Sequence, residues 1–108
     1  MSQRMKRNAD ALRFLAKCNA KQRKAIIQYA DNGLVDSLCE CALNLLKGHV
    51  RLNPKQKKKL STHKHRLRAL TNKKVARKKK KTILTQNGGF VGALLAPVLK
   101  TIVHMLLK

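Results

Sequence analysis

Leu34-Val35-Asp36-Ser37-Leu38-Cys39-Glu40-Cys41-Ala42-Leu43-Asn44-Leu45-Leu46-Lys47 carries the clearest structural signal in the chain. Leu34, Leu38, Cys41, Ala42, Leu45 and Leu46 fall on one stripe of a helix, while Asp36, Glu40, Asn44 and Lys47 fall on the other side. The acids come early, Lys47 comes late and Gly48 follows as a stop, as a helix dipole and a glycine C-terminus favour.

Working upstream, Asp31-Asn32-Gly33 supplies a turn, and Ala20 to Ala30 reads as a second helix with Ile26, Ile27 and Tyr29 as its apolar bulk and Asn19 as its cap. Before it, Ala11, Leu12, Leu15 and Ala16 recur at helical spacing, with Arg13 and Lys17 as an exposed pair. Working downstream, Asn53 is placed as an N-cap and Pro54 at the first helical position, where its missing N–H costs nothing. Lys55 to Leu70 then reads as a helix whose thin apolar line is Leu60, Leu67 and Leu70. Asn72 interrupts it, and a shorter basic segment runs from Lys73 to Leu84. Asn19-Ala20-Lys21-Gln22-Arg23-Lys24-Ala25-Ile26 and Asn53-Pro54-Lys55-Gln56-Lys57-Lys58-Lys59-Leu60 echo one another as a reused helix start: a cap, basic first turns, then an apolar residue.

Charge divides the same chain into three regions. It has 108 residues, 26 Lys+Arg against 4 Asp+Glu, and a formal net charge of +22. Residues 1–54 carry net +6, residues 55–81 carry +14 with no acid, and residues 82–108 carry +2. Self-repulsion at this density disfavours a compact chain unless an acidic partner neutralises it. Like charges at i,i+4 weaken the basic helices, which are expected to gain order when phosphates bind. Aromatic residues are 3%, so stacking platforms for unpaired bases are scarce.

The basic middle is the strongest functional signal. Lys55, Lys57, Lys58, Lys59, Lys64, Arg66, Arg68, Lys73, Lys74, Arg77, Lys78, Lys79, Lys80 and Lys81 are the candidate nucleic-acid-binding residues. They exceed the 6–10 phosphate contacts that make duplex binding steeply salt-dependent. Lysine outnumbers arginine, so backbone contact without base readout is expected. Cys39-x-Cys41 and His63-x-His65 match no common zinc spacing, and no metal or other cofactor is expected. Four scattered acids and no glycine-rich phosphate loop leave nothing to assemble into an active site, so the chain does not read as an enzyme. The odd count of Cys18, Cys39 and Cys41, with no apolar leader at the N-terminus, suits a reducing compartment.

After Gln86-Asn87-Gly88-Gly89 the composition flips, and Phe90 to Leu107 holds only Lys100 and His104 as chargeable side chains. Gly88-Gly89 reads as a flexible, exposed hinge. Three roles stay open for the tail: packing against the amphipathic first region, insertion at a membrane surface, and self-association or docking to a protein shell.

The run Thr82-Ile83-Leu84-Thr85-Gln86-Asn87-Gly88-Gly89-Phe90-Val91-Gly92-Ala93-Leu94-Leu95-Ala96-Pro97-Val98-Leu99 is laid out as basic block, Gly-Gly-Phe junction and apolar Leu/Ala/Pro tail. In this it resembles the precursor of adenovirus core protein X (mu) and the X-like proteins of Polintons (Mavericks) and adintoviruses. The resemblance covers residues 53–108. It implies condensation of a packaged double-stranded genome by the basic part, and a cut by a viral cysteine protease at Gly89–Phe90, with Gly88, Gly89 and Phe90 forming the junction. Gln86 stands where that family prefers Met, Ile or Leu.

The expected architecture is all-α and partly disordered without nucleic acid. An amphipathic helical region spans 1–52, a basic DNA-binding region 53–87, and a Gly-Gly junction with an apolar helical tail 88–108. The expected function is sequence-independent binding and condensation of double-stranded DNA in a virion core or host nucleus, with RNA left open as a partner and a membrane or capsid contact through residues 90–108. The alternatives are a membrane-active cationic protein and a cellular chromatin- or ribosome-associated basic protein.

Overall fold

The structure, a computed structural model, describes residues 2–86 and 88–107, with backbone alone for 88, 89 and 105–107. Its helices are α1 (Gln3–Arg7), α2 (Ala9–Lys17), α3 (Ala20–Gln28), α4 (Asn32–Leu46), α5 (Pro54–Thr62), α6 (Lys64–Thr71), α7 (Arg77–Gln86), α8 (Gly88–Leu95) and α9 (Leu99–Leu107), with a 3-10 turn, Ala96–Val98, joining the last two. No strand occurs among the described residues, so the fold is all-α.

Helix α4 forms for the reasons its sequence supplies. The Asp31 side chain accepts the Leu34 N–H at 2.9 Å, which starts the helix at Asn32, two residues before the apolar stripe. Leu34, Val35, Ser37, Leu38, Cys41, Ala42 and Leu45 are buried, and Leu46 is half-buried. Val35 and Ser37 widen the expected stripe because α4 has neighbours on several sides: α6 chiefly, and α1, α2, α7 and α8. Ser37 is accommodated by donating to the Gly33 carbonyl at 2.9 Å. At the other end Gly48 adopts φ 73°, its N–H bonding Leu45 O at 3.2 Å and the His49 N–H bonding Asn44 O at 3.0 Å, a complete Schellman stop.

The echoed helix starts are structurally identical devices. Asn19 accepts the Gln22 N–H at 2.8 Å and Asn53 accepts the Gln56 N–H at 2.8 Å, and each glutamine side chain accepts its asparagine's own backbone N–H in return. Helix α3 ends earlier than Ala30, however, and Tyr29 at its C-cap is 86% exposed rather than packed.

The expected Lys55–Leu70 helix is two helices that part at His63. The break serves two packing partners in different directions, since α5 lies on α8 while α6 lies on α4 and α7. Beyond it Asn72 does interrupt the chain, its side chain accepting the Lys74 N–H at 2.9 Å, and this turn delays the next helix to Arg77.

The tail departs most from the exposed-hinge expectation. Backbone helix begins at Gly88, Asn87 lies outside the described residues, and Phe90, Val91, Leu94, Leu95, Val98 and Ile102 are all fully buried. A helical glycine costs about 1 kcal/mol relative to alanine, whereas burying a large apolar side chain contributes about 1.5–3 kcal/mol, so Phe90 and Val91 outweigh the two glycines. The tail closes the core formed by Met5, Leu12, Leu15, Ile27 and the α4 stripe, with α2 packing on both α8 and α9. The radius of gyration, 12.6 Å, matches the value of about 13 Å for a folded chain of this length, so the basic middle is wrapped into the same body.

Candidate nucleic-acid interface

Each basic segment is held down by leucines and turns its cations outward. Leu60 anchors α5, Leu67 and Leu70 anchor α6, and Leu84 anchors α7, all buried. Lys55, Lys57, Lys58, Lys59, Lys64, Arg68, Lys73, Lys74, Arg77, Lys78 and Lys79 are exposed, and Arg66, Lys80 and Lys81 are half-buried.

Among the described residues, three of these cations have side-chain hydrogen bonds within the chain. Arg77 donates from Nε and Nη2 to the two carboxylate oxygens of Asp36, at 2.9 Å each. Lys81 donates from Nζ to the Ala30 carbonyl at 2.8 Å. Arg66 Nη1 lies 3.1 Å from His63 Nδ1; an arginine can only donate, so Nδ1 is the acceptor and His63 is neutral in this arrangement.

Asp31, Asp36 and Glu40 are all engaged within the fold. Asp31 caps α4, Asp36 binds Arg77, and Glu40 takes the Ser2 hydroxyl at 2.7 Å and lies 3.9 Å from Arg4. The hydrogen bonds from Arg77 hold the Asp36 carboxyl below the usual carboxylate range. Among the described residues the ion pairs are Arg4–Glu40 and Arg77–Asp36, so the other cations of the basic middle have no carboxylate partner there.

Arg23 stands apart from these. It is 9% exposed and donates to the carbonyls of Leu15 at 2.8 Å and Cys18 at 2.7 Å, closing the C-terminal end of α2. A Cβ on Gly92 would sit 3.2 Å from its Nη1, so α8 approaches α3 at a position where a larger residue would press on the guanidinium. The composition of the first region gives no sign that one of its cations is a structural bracket. Its i+8 spacing from Leu15, across the Asn19 cap, is visible only once α2 and α3 are folded against each other.

The structure gives His63 a partner other than His65 and the cysteines. It sets the ring against Phe90, centroids 5.2 Å apart and planes tilted by 50°. Burial, and then Arg66 and Lys59, push its pKa below the ordinary value. Cys41 is fully buried with its Sγ 3.9 Å from Met5 Sδ, and burial pushes the thiol up to about 12; burial also raises Cys39. Among the described residues no three His, Cys, Asp or Glu side chains are placed to hold a metal ion.

The junction residues Gly88, Gly89 and Phe90 form the first turn of α8, and the apolar tail that they open lies at 102° to α7. No single described helix is long and apolar enough to cross a membrane; the bent pair Arg77–Gln86 with Phe90–His104 is so only by combined length and composition. Compared with protein-family models, curated proteins and solved structures, the chain matches none.

Proposed function

We propose that the chain binds double-stranded nucleic acid through its phosphates, without reading sequence, and condenses it as a core protein of a virus or virus-like element. The observation that carries this reading is the mismatch between charge and partner: residues 55–81 hold eleven lysines and three arginines with no acid, and Arg77 has the carboxylate bond among them. A folded body that retains so many uncompensated ammoniums is complementary to a polyanion, and lysine's mobile point charge suits phosphate contact better than base readout. Buried Leu60, Leu67, Leu70 and Leu84 hold the basic helices on one folded body with most of their cations exposed, which suits contact with neighbouring duplex segments. The resemblance of residues 53–108 to the adenovirus X precursor and its transposon-borne relatives points the same way, to a virion core or host nucleus and to maturation by a viral cysteine protease at Gly89–Phe90.

Burial of Phe90, Val91, Leu94, Leu95, Val98 and Ile102 weighs against a primary role in membranes, because insertion would withdraw these side chains from the core. RNA duplex presents the same phosphate chemistry, and a matched RNA duplex belongs in the same assay.

Mixing the full chain with plasmid DNA should produce compacted particles by light scattering near charge neutrality, dispersed again by added salt. Changing Lys57, Lys58, Lys59, Lys64 and Lys79 together to Gln should flatten the log–log salt dependence of duplex binding by about four to five. Unchanged binding and compaction by that variant would contradict the proposal.

A further inference from the structure

On α7, Lys78, Lys81, Thr82 and Thr85 are spaced i, i+3, i+4, i+7 and share one face; on α3, Lys24 and Gln28 are spaced i, i+4. The two helices pack together, Ile27 of α3 and Leu84 of α7 being buried in the core, and these six residues line a groove of about 280 Å³. None of the six is acidic, and among the described residues none of the three lysines has a carboxylate partner. Crowding like charges into one groove opposes folding, and an anion seated there removes that cost.

We infer that this α3/α7 groove is a phosphate slot of the nucleic-acid surface, seating the backbone of one strand, and that Lys24 belongs to the interface although it lies outside the basic middle. The inference rests on the nucleic-acid reading above. Lys81 is already positioned, one of its three protons fixed on the Ala30 carbonyl at 2.8 Å, so its ammonium is oriented before ligand arrives. Thr82 and Thr85 use their hydroxyl protons on the carbonyls of Lys78 and Thr82, each at 3.1 Å. The donors for an anion are therefore the three ammoniums and the Gln28 amide. From Lys78 to Thr85 the helix rises about 10 Å, long enough to meet more than one phosphate of a strand.

The test compares single substitutions in the full chain, all at exposed positions, three removing a charge and one keeping it. Affinity for a random-sequence duplex is measured across salt for Lys24→Gln, Lys78→Gln, Lys24→Arg and Lys100→Gln, the last on α9. Lys24→Gln and Lys78→Gln should each reduce the magnitude of the slope by about one; Lys24→Arg should keep it, and Lys100→Gln should leave it near wild type. NMR titration with the same duplex should move the amide signals of Gln28, Thr82 and Thr85. If wild type binds steeply but Lys24→Gln behaves as Lys100→Gln, the slot is overturned while the broader function stands. If wild type fails to bind duplex, the functional reading itself falls. A loss by Lys24→Gln confined to phosphatidylserine vesicles would assign the groove to lipid and also overturn the inference.

Discussion

The Arg77 guanidinium grips both carboxylate oxygens of Asp36 at 2.9 Å, joining residues 41 positions apart and fastening the start of α7 to α4. One of the chain's few acids thereby ties the basic middle to the helix that organises the core, at the expense of one cation that a phosphate would otherwise take.

Asp36→Asn should therefore act in opposite directions on stability and binding. Because Arg77 depresses the Asp36 pKa, the bond's stabilisation is fully present above the ordinary value of 3.8 and is lost as pH falls through the lower folded value. Thermal melts should show the Asp36→Asn variant less stable than wild type at neutral pH, with the gap closing in strong acid. Duplex binding by the same variant should strengthen slightly and its salt slope steepen by up to about one, as Arg77 is released. A gap that widens on acidification would contradict the assignment.

The His63 ring against Phe90 adds a second site whose stabilisation is lost on acidification, at higher pH than that of Asp36. Its folded pKa lies below the ordinary 6.5, so the unfolded chain takes the proton first. Stability is full above about 6.5 and declines as pH falls from there toward the folded value, where it levels off. The charged groups facing the ring are Lys59 on α5 and Arg66 on α6; α8 offers none. Melts between pH 7.5 and 5 should show this decline in wild type and a smaller one in His63→Phe. Equal slopes would remove His63 as the titrating group.

Arg23→Met should cost about 2 kcal/mol of folding stability, from charged hydrogen bonds withdrawn from the Leu15 and Cys18 carbonyls. The same variant should leave the salt slope of duplex binding unchanged, because the guanidinium is buried in the fold. Denaturant unfolding and binding on one preparation check both halves.

Processing at Gly89–Phe90 should be gated by the fold. The bond lies in the first turn of α8 with Phe90 fully buried, and a protease cleft takes extended chain. An adenoviral-type cysteine protease should cut a synthetic peptide spanning 82–99 faster than the folded chain, and Phe90→Ala should speed cutting of the full chain by loosening α8. Equal rates for peptide and folded chain would contradict this.

What is legible in the sequence is local. The α4 stripe, its Gly48 stop and both asparagine caps follow from residues within one or two turns, and all appear in the fold. Helix α1 escapes the sequence reading, although Met5, Ala9 and Leu12 continue the helical spacing of α2. The break at His63, the bracket at Arg23 and the tail's place in the core depend on which helices meet, and that is set by contacts between residues tens of positions apart. Composition alone leaves Phe90 to Leu107 open as core, membrane-surface segment or docking helix. In the sequence Lys24 carries no signal distinguishing it from Lys21; the placement of α7 beside α3 supplies it.

On the proposed function, uncompensated lysines of the folded helical body bind nucleic-acid phosphates without reading bases. Fluorescence anisotropy of the full chain with two unrelated duplexes of equal length, from 50 to 200 mM salt, addresses this reading most directly. Equal affinities for the two sequences and a fall of about 10³–10⁵ across that range, linear on log–log axes, are expected. A shallow salt dependence, or a hundredfold preference for one sequence, would contradict it.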